Sequence, residues 1–280
     1  MIMKEIFDTV SYRSSEITTK LYSTSFSFGI KALDRELHKP IYAIYGFVRL
    51  ADEIVDTFHD FDKETLLLKF KHDTYEAIKD RISLNPILNS FQDVVNSYNI
   101  DLDLVDTFLN SMEMDLNPTT YDKSKYEKYI LGSAQVVGLM CLKVFLNGNE
   151  IQYNELKPHA MSLGSAFQKI NFLRDIKADY SNLGRTYFPN VDMNTFSLDD
   201  KVHIERDIQK DFAHALIGVK KLPKSSRAGV YLTYVYYYKL FEKIQSISYS
   251  KILSQRIRIH NFRKMYLVLG TLLKSKFGFI

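Results

Sequence analysis

The chain of 280 residues holds one cysteine and no tryptophan. A single cysteine excludes an internal disulfide and a cysteine-based metal cluster. Cys141 stands in an apolar helical run and reads as a small buried side chain. Chain breakers are scarce, at 11 Gly and 6 Pro, and no Ser/Gly/Pro-rich linker divides the sequence, so one domain spanning 1–280 is expected. No Gly-rich nucleotide loop, no His-Glu-x-x-His pattern and no Ser-His-Asp arrangement occurs, and the seven histidines are scattered. The N-terminus lacks the charged-then-apolar pattern of a secretion signal, and the run Met265 to Leu273 is too short to cross a bilayer. Those absences point to a cytoplasmic location and leave peripheral membrane contact open.

What the chain does contain is ordinary for a folded domain in bulk, with 46% hydrophobic and 25% charged residues. Its aromatic content is 19 Tyr and 19 Phe; their faces can stabilise cations, although core packing accounts for most of them. The formal charge of +4 is too slight to argue for nucleic acid, and the basic C-terminal part carries no recognisable nucleic-acid motif. After Glu242 no acidic residue occurs, while eight basic ones run from Lys243 to Lys276. That end should attract anions: substrate phosphates, an anionic membrane, or only solvent ions around a basic face.

Apolar residues recur at helical spacing, which predicts an all-α fold. A first helix is expected over 39–57, with Pro40 in its first turn. Others are expected over 65–81, 86–96, 101–116, 123–145, 154–180, 199–218, 225–249 and 253–276.

Two acidic stretches carry the chemistry. Arg49-Leu50-Ala51-Asp52-Glu53-Ile54-Val55-Asp56 and Asn171-Phe172-Leu173-Arg174-Asp175-Ile176-Lys177-Ala178-Asp179 each set two aspartates four residues apart. On a helix that spacing stacks both carboxylates on one face, where like charges repel unless a cation lies between them. Hard oxygen ligands suit Mg²⁺, which binds through one or two carboxylates plus substrate phosphates. Tyr42, Tyr45, Arg49, Asp52 and Asp56 advance by three or four, as do Asn171, Asp175 and Asp179, so each stripe faces one way. Arg49 and Arg174 can take a phosphate in bidentate fashion; salt bridging within their own helices is the plain alternative. Around Tyr129, the small residues Gly132, Ser133, Ala134 and Gly138 allow close approach of a neighbouring helix or of an elongated apolar ligand. The hydroxyl-rich Tyr22-Ser23-Thr24-Ser25-Phe26 offers donors for phosphate oxygens or a helix cap.

Taken together these segments resemble the squalene/phytoene synthase family, from about Tyr22 to Lys264. The landmarks are Ser23-Thr24-Ser25-Phe26, then Ala43-Ile44-Tyr45 through Arg49, Asp52 and Asp56, then Tyr129 to Gly138, then Asn171 to Asp179, then Gly184-Arg185-Thr186-Tyr187-Phe188-Pro189. Gln135 stands where the family often has Gly, and Glu53 keeps a carboxylate in place of a frequent Asp.

The resemblance implies a single helical domain around a central cavity and the head-to-head condensation of two prenyl diphosphates through a cyclopropyl diphosphate. It assigns Mg²⁺, or Mn²⁺ in its place, to Asp52, Asp56, Asp175 and Asp179 with help from Asn171, and catalysis to those four aspartates and Tyr129. Ser23, Ser25, Arg49, Asn171, Arg174 and Arg185 would hold diphosphate, and Phe26, Tyr42, Gln135 and Tyr237 would wall the cavity. No NADPH is expected, since no nicotinamide motif occurs. The phytoene synthase members of the family, which join two geranylgeranyl diphosphates in carotenoid synthesis, fit this pattern first. Dehydrosqualene, hydroxysqualene or squalene synthases acting on farnesyl diphosphate are the alternative, and a helical scaffold without catalysis is a third reading.

Overall fold

In the computed structural model the described residues are 2–116, 121–183, 187–189, 191, 195–253 and 257, without the side chains of 2 and 177–183. Among them every regular element is helical. In chain order these are α1 (Ile2–Tyr22), α2 (Thr24–Lys31), α3 (Arg35–Asp56), α4 (Lys63–Asp80), α5 (Pro86–Ser97), α6 (Leu102–Leu116), α7 (Lys123–Ile130), α8 (Val136–Leu146), α9 (Glu150–Leu183), α10 (Leu198–Lys221), α11 (Lys224–Gln245) and α12 (Tyr249–Ile252).

Local chemistry sets most boundaries. Ser23, Asp62, Asn85, Asp122 and Ser197 cap the N-termini of α2, α4, α5, α7 and α10 with side-chain oxygens, and Ser197 forms a reciprocal capping box with Asp200. Pro86 occupies the first turn of α5, where its missing N–H costs nothing. Asn147 and Gly148 both adopt positive φ after α8 and turn the chain into α9.

The structure corrects the expected elements in three places. First, α1 was not anticipated, because it carries its aliphatic residues on the face it turns to solvent, and α2 is the helix that Ser23 caps. Second, α3 begins at Arg35, so Pro40 lies inside it rather than at its start. Third, the helix expected over 123–145 is interrupted by a π-helical turn, Leu131–Gln135. The last expected helix, over 253–276, lies outside the described residues but for its first residue and Ile257. The continuous stretch Lys123–Leu146 is long and apolar enough to cross a membrane, with mean hydropathy 1.7 in its most apolar part. It packs against α3, α6 and α9 in the middle of the bundle, as a core helix does.

Two aromatic clusters hold the bundle. Phe47 of α3 stacks on Phe91 of α5 at 3.8 Å and meets Phe108 of α6 at 5.3 Å, all three fully buried. Across the molecule Phe172 of α9 stacks on Tyr187 at 4.1 Å, beside Tyr129. Lys169 of α9, almost fully buried, pairs with Asp207 and Asp211 of α10 and so fixes the long helix against its neighbour.

Candidate active site

Between the two clusters lies a cavity of about 660 Å³. Its lining comes from α2, α3, α6, α7, the π turn, α8, α9, α10 and α11 and from Tyr187, with the last residue of α1 at the edge. The acids gather on α3, α6 and α9, and most of the remaining lining is apolar.

The α3 wall shows how helical phase selects the lining. Ile41, Tyr45, Val48, Arg49, Asp52 and Asp56 recur by three or four and all reach the cavity. Tyr42 belongs to the expected stripe but lies on its edge, and the structure turns it toward Lys20 and Glu16 of α1, where it is buried at 4% exposure. It therefore does not line the cavity. On α9, Gly164, Phe167, Gln168, Asn171 and Asp175 form the facing stripe, with Arg174 beside them. The acids Asp52 and Asp56 thus share one space with Asn171 and Asp175, although the pairs are 115 or more residues apart in sequence. The Asp179 side chain and Arg185 lie outside the described residues.

The two arginines begin with partners of their own. Arg49 pairs with Glu53 and lies 3.8 Å from Asp52. Its guanidinium also covers the Tyr22 ring at 4.3 Å, while its Nε is buried without a hydrogen-bond partner among the described residues. Arg174 clasps Asp175, with Nη2 at 2.5 Å and Nε at 3.1 Å from Asp175 Oδ2. Part of each guanidinium still faces the cavity.

Asp52 has the most perturbed carboxyl of the site. Burial by the cavity walls raises its pKa to about 8, and Asp56 and Asp115 push it the same way, while Arg49 opposes them. About 34% of the side chain borders the open space of the cavity, so desolvation here comes from enclosure rather than from close packing. A carboxyl held so far above its ordinary range marks a place short of positive charge.

Asp115 was not anticipated. It lies in the last turn of α6, is 3% exposed, lines the cavity, and accepts a 2.8 Å hydrogen bond from the Tyr129 hydroxyl. Burial first, and Asp115 next, hold the Tyr129 phenol well above its usual pKa, so it stays protonated. The only sequence signal for Asp115 was a lone acid on the apolar face of a helix. Tyr237 of α11 is raised to about 12 by burial; it stacks on Phe167 at 4.0 Å and directs its hydroxyl to Asn171 at 3.4 Å. Phe26 joins Tyr45 and Tyr237 at 5.6 and 6.1 Å. Phe26, Tyr45, Tyr129 and Tyr237 all line the cavity.

Two further expectations are corrected. Ser25 is half-buried and does not reach the cavity, while Ser23 does, its Oγ accepting the Phe26 N–H at 3.2 Å as the cap of α2. Gln135 turns to α9, where its amide donates to Ser165 Oγ at 2.6 Å, and leaves Ser133 and Ala134 to face the cavity.

All the candidate cation donors are carboxylate or amide oxygens, the chemistry Mg²⁺ or Mn²⁺ selects. Among the described residues no three His, Cys, Asp or Glu side chains converge into a closed metal site. Split carboxylates facing an open space fit a cation whose remaining ligands come from substrate phosphate.

Comparison with known proteins bears on the same residues. The squalene/phytoene synthase family matches residues 19–263. A 4,4'-diapophytoene synthase of Staphylococcus haemolyticus is 25% identical over 208 residues, 72% of this chain and 70% of the relative. Phytoene synthase 1 of Solanum lycopersicum is 24% identical, covering 94% of this chain and 67% of the relative, and the phytoene synthase of Mycobacterium tuberculosis is 26% identical, covering 66% and 59%. Among solved structures, a dehydrosqualene synthase in complex with ligand superposes with TM-score 0.82 at 17% identity, over 96% of this chain and 98% of that one. The squalene synthase HpnC of Alicyclobacillus acidocaldarius gives 0.74 at 20% identity, over 86% and 95%.

Proposed function

Because the chain belongs to the squalene/phytoene synthase family, whose members condense prenyl diphosphates head to head, we propose that it is a phytoene synthase joining two geranylgeranyl diphosphates. The observation that carries the reading is the shared cavity: acids of α3 and α9 at one end, and an apolar, aromatic-walled space behind them. The relatives named phytoene synthase in tomato and Mycobacterium support the C20 substrate. The staphylococcal diapophytoene synthase and the dehydrosqualene synthase structure favour a second reading, in which the substrate is farnesyl diphosphate.

In the reaction two allylic C–O bonds break, two diphosphates and two protons leave, and the two chains become joined. Asp52, Asp56 and Asp175, with Asn171 assisting and Asp179 as the remaining candidate, would hold Mg²⁺, or Mn²⁺. Bound there, the cation supplies positive charge that stabilises the departing diphosphate. Arg49 adds a guanidinium whose Nε is unused, and Arg174 a second, so that negative charge developing on the leaving group meets preoriented donors. The protonated phenols of Tyr129 and Tyr237 present oxygen lone pairs and ring faces rather than a nucleophilic phenolate, and Phe26 and Tyr45 extend that wall. The apolar remainder of the cavity keeps water from the allylic carbocation left when a C–O bond breaks. NADPH has no part in this scheme, and a cytoplasmic location goes with it.

Incubation of the purified chain with Mg²⁺ and, separately, geranylgeranyl and farnesyl diphosphate, without NADPH, tests the reading by mass spectrometry. A C40 hydrocarbon from the C20 substrate is expected; a C30 product alone would install the second reading, and turnover of neither would overturn both.

A further inference from the structure

Helix α1 inverts the usual patterning. The residues it turns into the bundle are small hydroxyls: Ser11, Ser15 and Thr19 are fully buried, and Ser15 Oγ meets Ser90 Oγ of α5 at 2.8 Å. Ser15 also lies close against Gly46 of α3, where an added Cβ would come within 2.7 Å of its hydroxyl. The aliphatic residues face outward. Met3, Ile6, Val10, Ile17 and Leu21 are each 49% to 81% exposed. Their spacing of three, four or seven places them in one stripe along a helix of 21 residues, or about 30 Å. A row of large exposed aliphatic groups marks a surface that meets something.

Two observations identify what it meets. Arg13 occupies the gap in the stripe near the midpoint of α1, exposed and without an ion pair among the described residues. Pairing of α1 with α1 of a second copy about a two-fold axis would set Arg13 against its own counterpart and bury two like charges. At an anionic bilayer the same side chain reaches headgroup phosphates while its neighbours enter the acyl boundary. In addition, Leu21 at the end of the stripe adjoins Tyr22, which lines the cavity and lies under Arg49. The stripe therefore leads to the rim of an apolar chamber.

We propose that the outer face of α1 docks on an anionic lipid surface, with Arg13 on headgroup phosphates and the aliphatic stripe in the interfacial layer. Docking in this way sets the cavity rim against the membrane.

The absence of tryptophan gives the test a silent background. The full chain carrying Val10→Trp is mixed with phosphatidylcholine vesicles, with and without phosphatidylglycerol, and its emission is compared with that of Ile151→Trp, a probe at the start of α9. A blue shift at position 10 alone, with phosphatidylglycerol vesicles alone, is expected. Ile6→Glu/Ile17→Glu, at exposed positions and checked by circular dichroism for unchanged helix content, should lower the co-sedimenting affinity by about tenfold or more. Unchanged emission, or equal co-sedimentation of the double variant, would overturn the proposal. So would emission already blue-shifted before lipid is added together with a dimer that Ile6→Glu/Ile17→Glu dissociates, since a second copy would then cover the face.

Discussion

The Tyr129 hydroxyl donates a 2.8 Å hydrogen bond to Asp115 Oδ2, and Asp115 in turn adds to the negative field at Asp52. A phenol so tied keeps its ring and its remaining lone pair directed at one place in the cavity. Tyr129→Phe removes the donor and should lower stability by about 1–3 kcal/mol, read from the urea midpoint. Turnover of either prenyl diphosphate should fall about 10- to 100-fold, with KM less affected. Asp115→Asn keeps a hydrogen-bonding side chain and should retain more of both than Asp115→Ala. Equal behaviour of Asn and Ala variants would remove the argument for a directed phenol.

The split acids predict a binding event separable from chemistry. Mg²⁺ together with inorganic pyrophosphate should raise the thermal midpoint of the wild-type chain, while either alone should do so less. Asp52→Asn and Asp175→Asn should abolish the joint shift and lower turnover about 100- to 1000-fold. A full thermal shift in Asp52→Asn would remove that residue from the cation site.

Gly164 marks a contact with no slack. A Cβ there would come within 2.8 Å of the Ala134 carbonyl oxygen and 3.1 Å of Gln135 Cα, both backbone. Gly164→Ala should therefore cost about 1–3 kcal/mol through displacement of α9 from the π turn. Gly148, with nothing within 4 Å of an added Cβ but φ of +82, should lose only about 1 kcal/mol on substitution by Ala. Denaturant midpoints of the two variants would rank them.

Cys141 lines the cavity, and burial raises its pKa to about 12. At neutral pH almost all of it is the unreactive thiol. Labelling by a disulfide reagent should be at least about tenfold slower in the native chain than in urea, and slower again with a prenyl thiodiphosphate bound. Since the chain has one cysteine, the label count is unambiguous; fast native labelling would mean that this wall of the cavity opens readily to solvent.

Legibility in the sequence followed the length scale of the interaction. Helices whose inward face is apolar, such as α5, α6 and α10, were readable to within a few residues because period and capping agree. Helix α1 was not, since its inward side is Ser11, Ser15 and Thr19, which a hydrophobic pattern discounts. At the site, four-residue spacing brought out Asp52 with Asp56 and Asn171 with Asp175, a property of single helices. Tyr42 stands at the border of its stripe, where the neighbouring helix decides which way a side chain goes, and Gln135, which the resemblance alone placed in the wall, ends the π turn and bonds to Ser165 of α9. Asp115 was invisible for a related reason: its partner Tyr129 is 14 residues distant and only the packing of α6 against the π turn joins them.

The π turn at Leu131–Gln135 acts as a phase shifter. An ordinary α-helix advances each residue by about 100°, so the wide turn lets α7 and α8 follow separate angular settings along one continuous rod. Upstream, Tyr129 is aimed at Asp115; downstream, Gly138 and Cys141 are aimed into the cavity. Winding the same five residues as an ordinary α-helix would rotate one set relative to the other by about a quarter turn. The composition of this stretch would hardly change, yet its two halves could no longer address the same chamber.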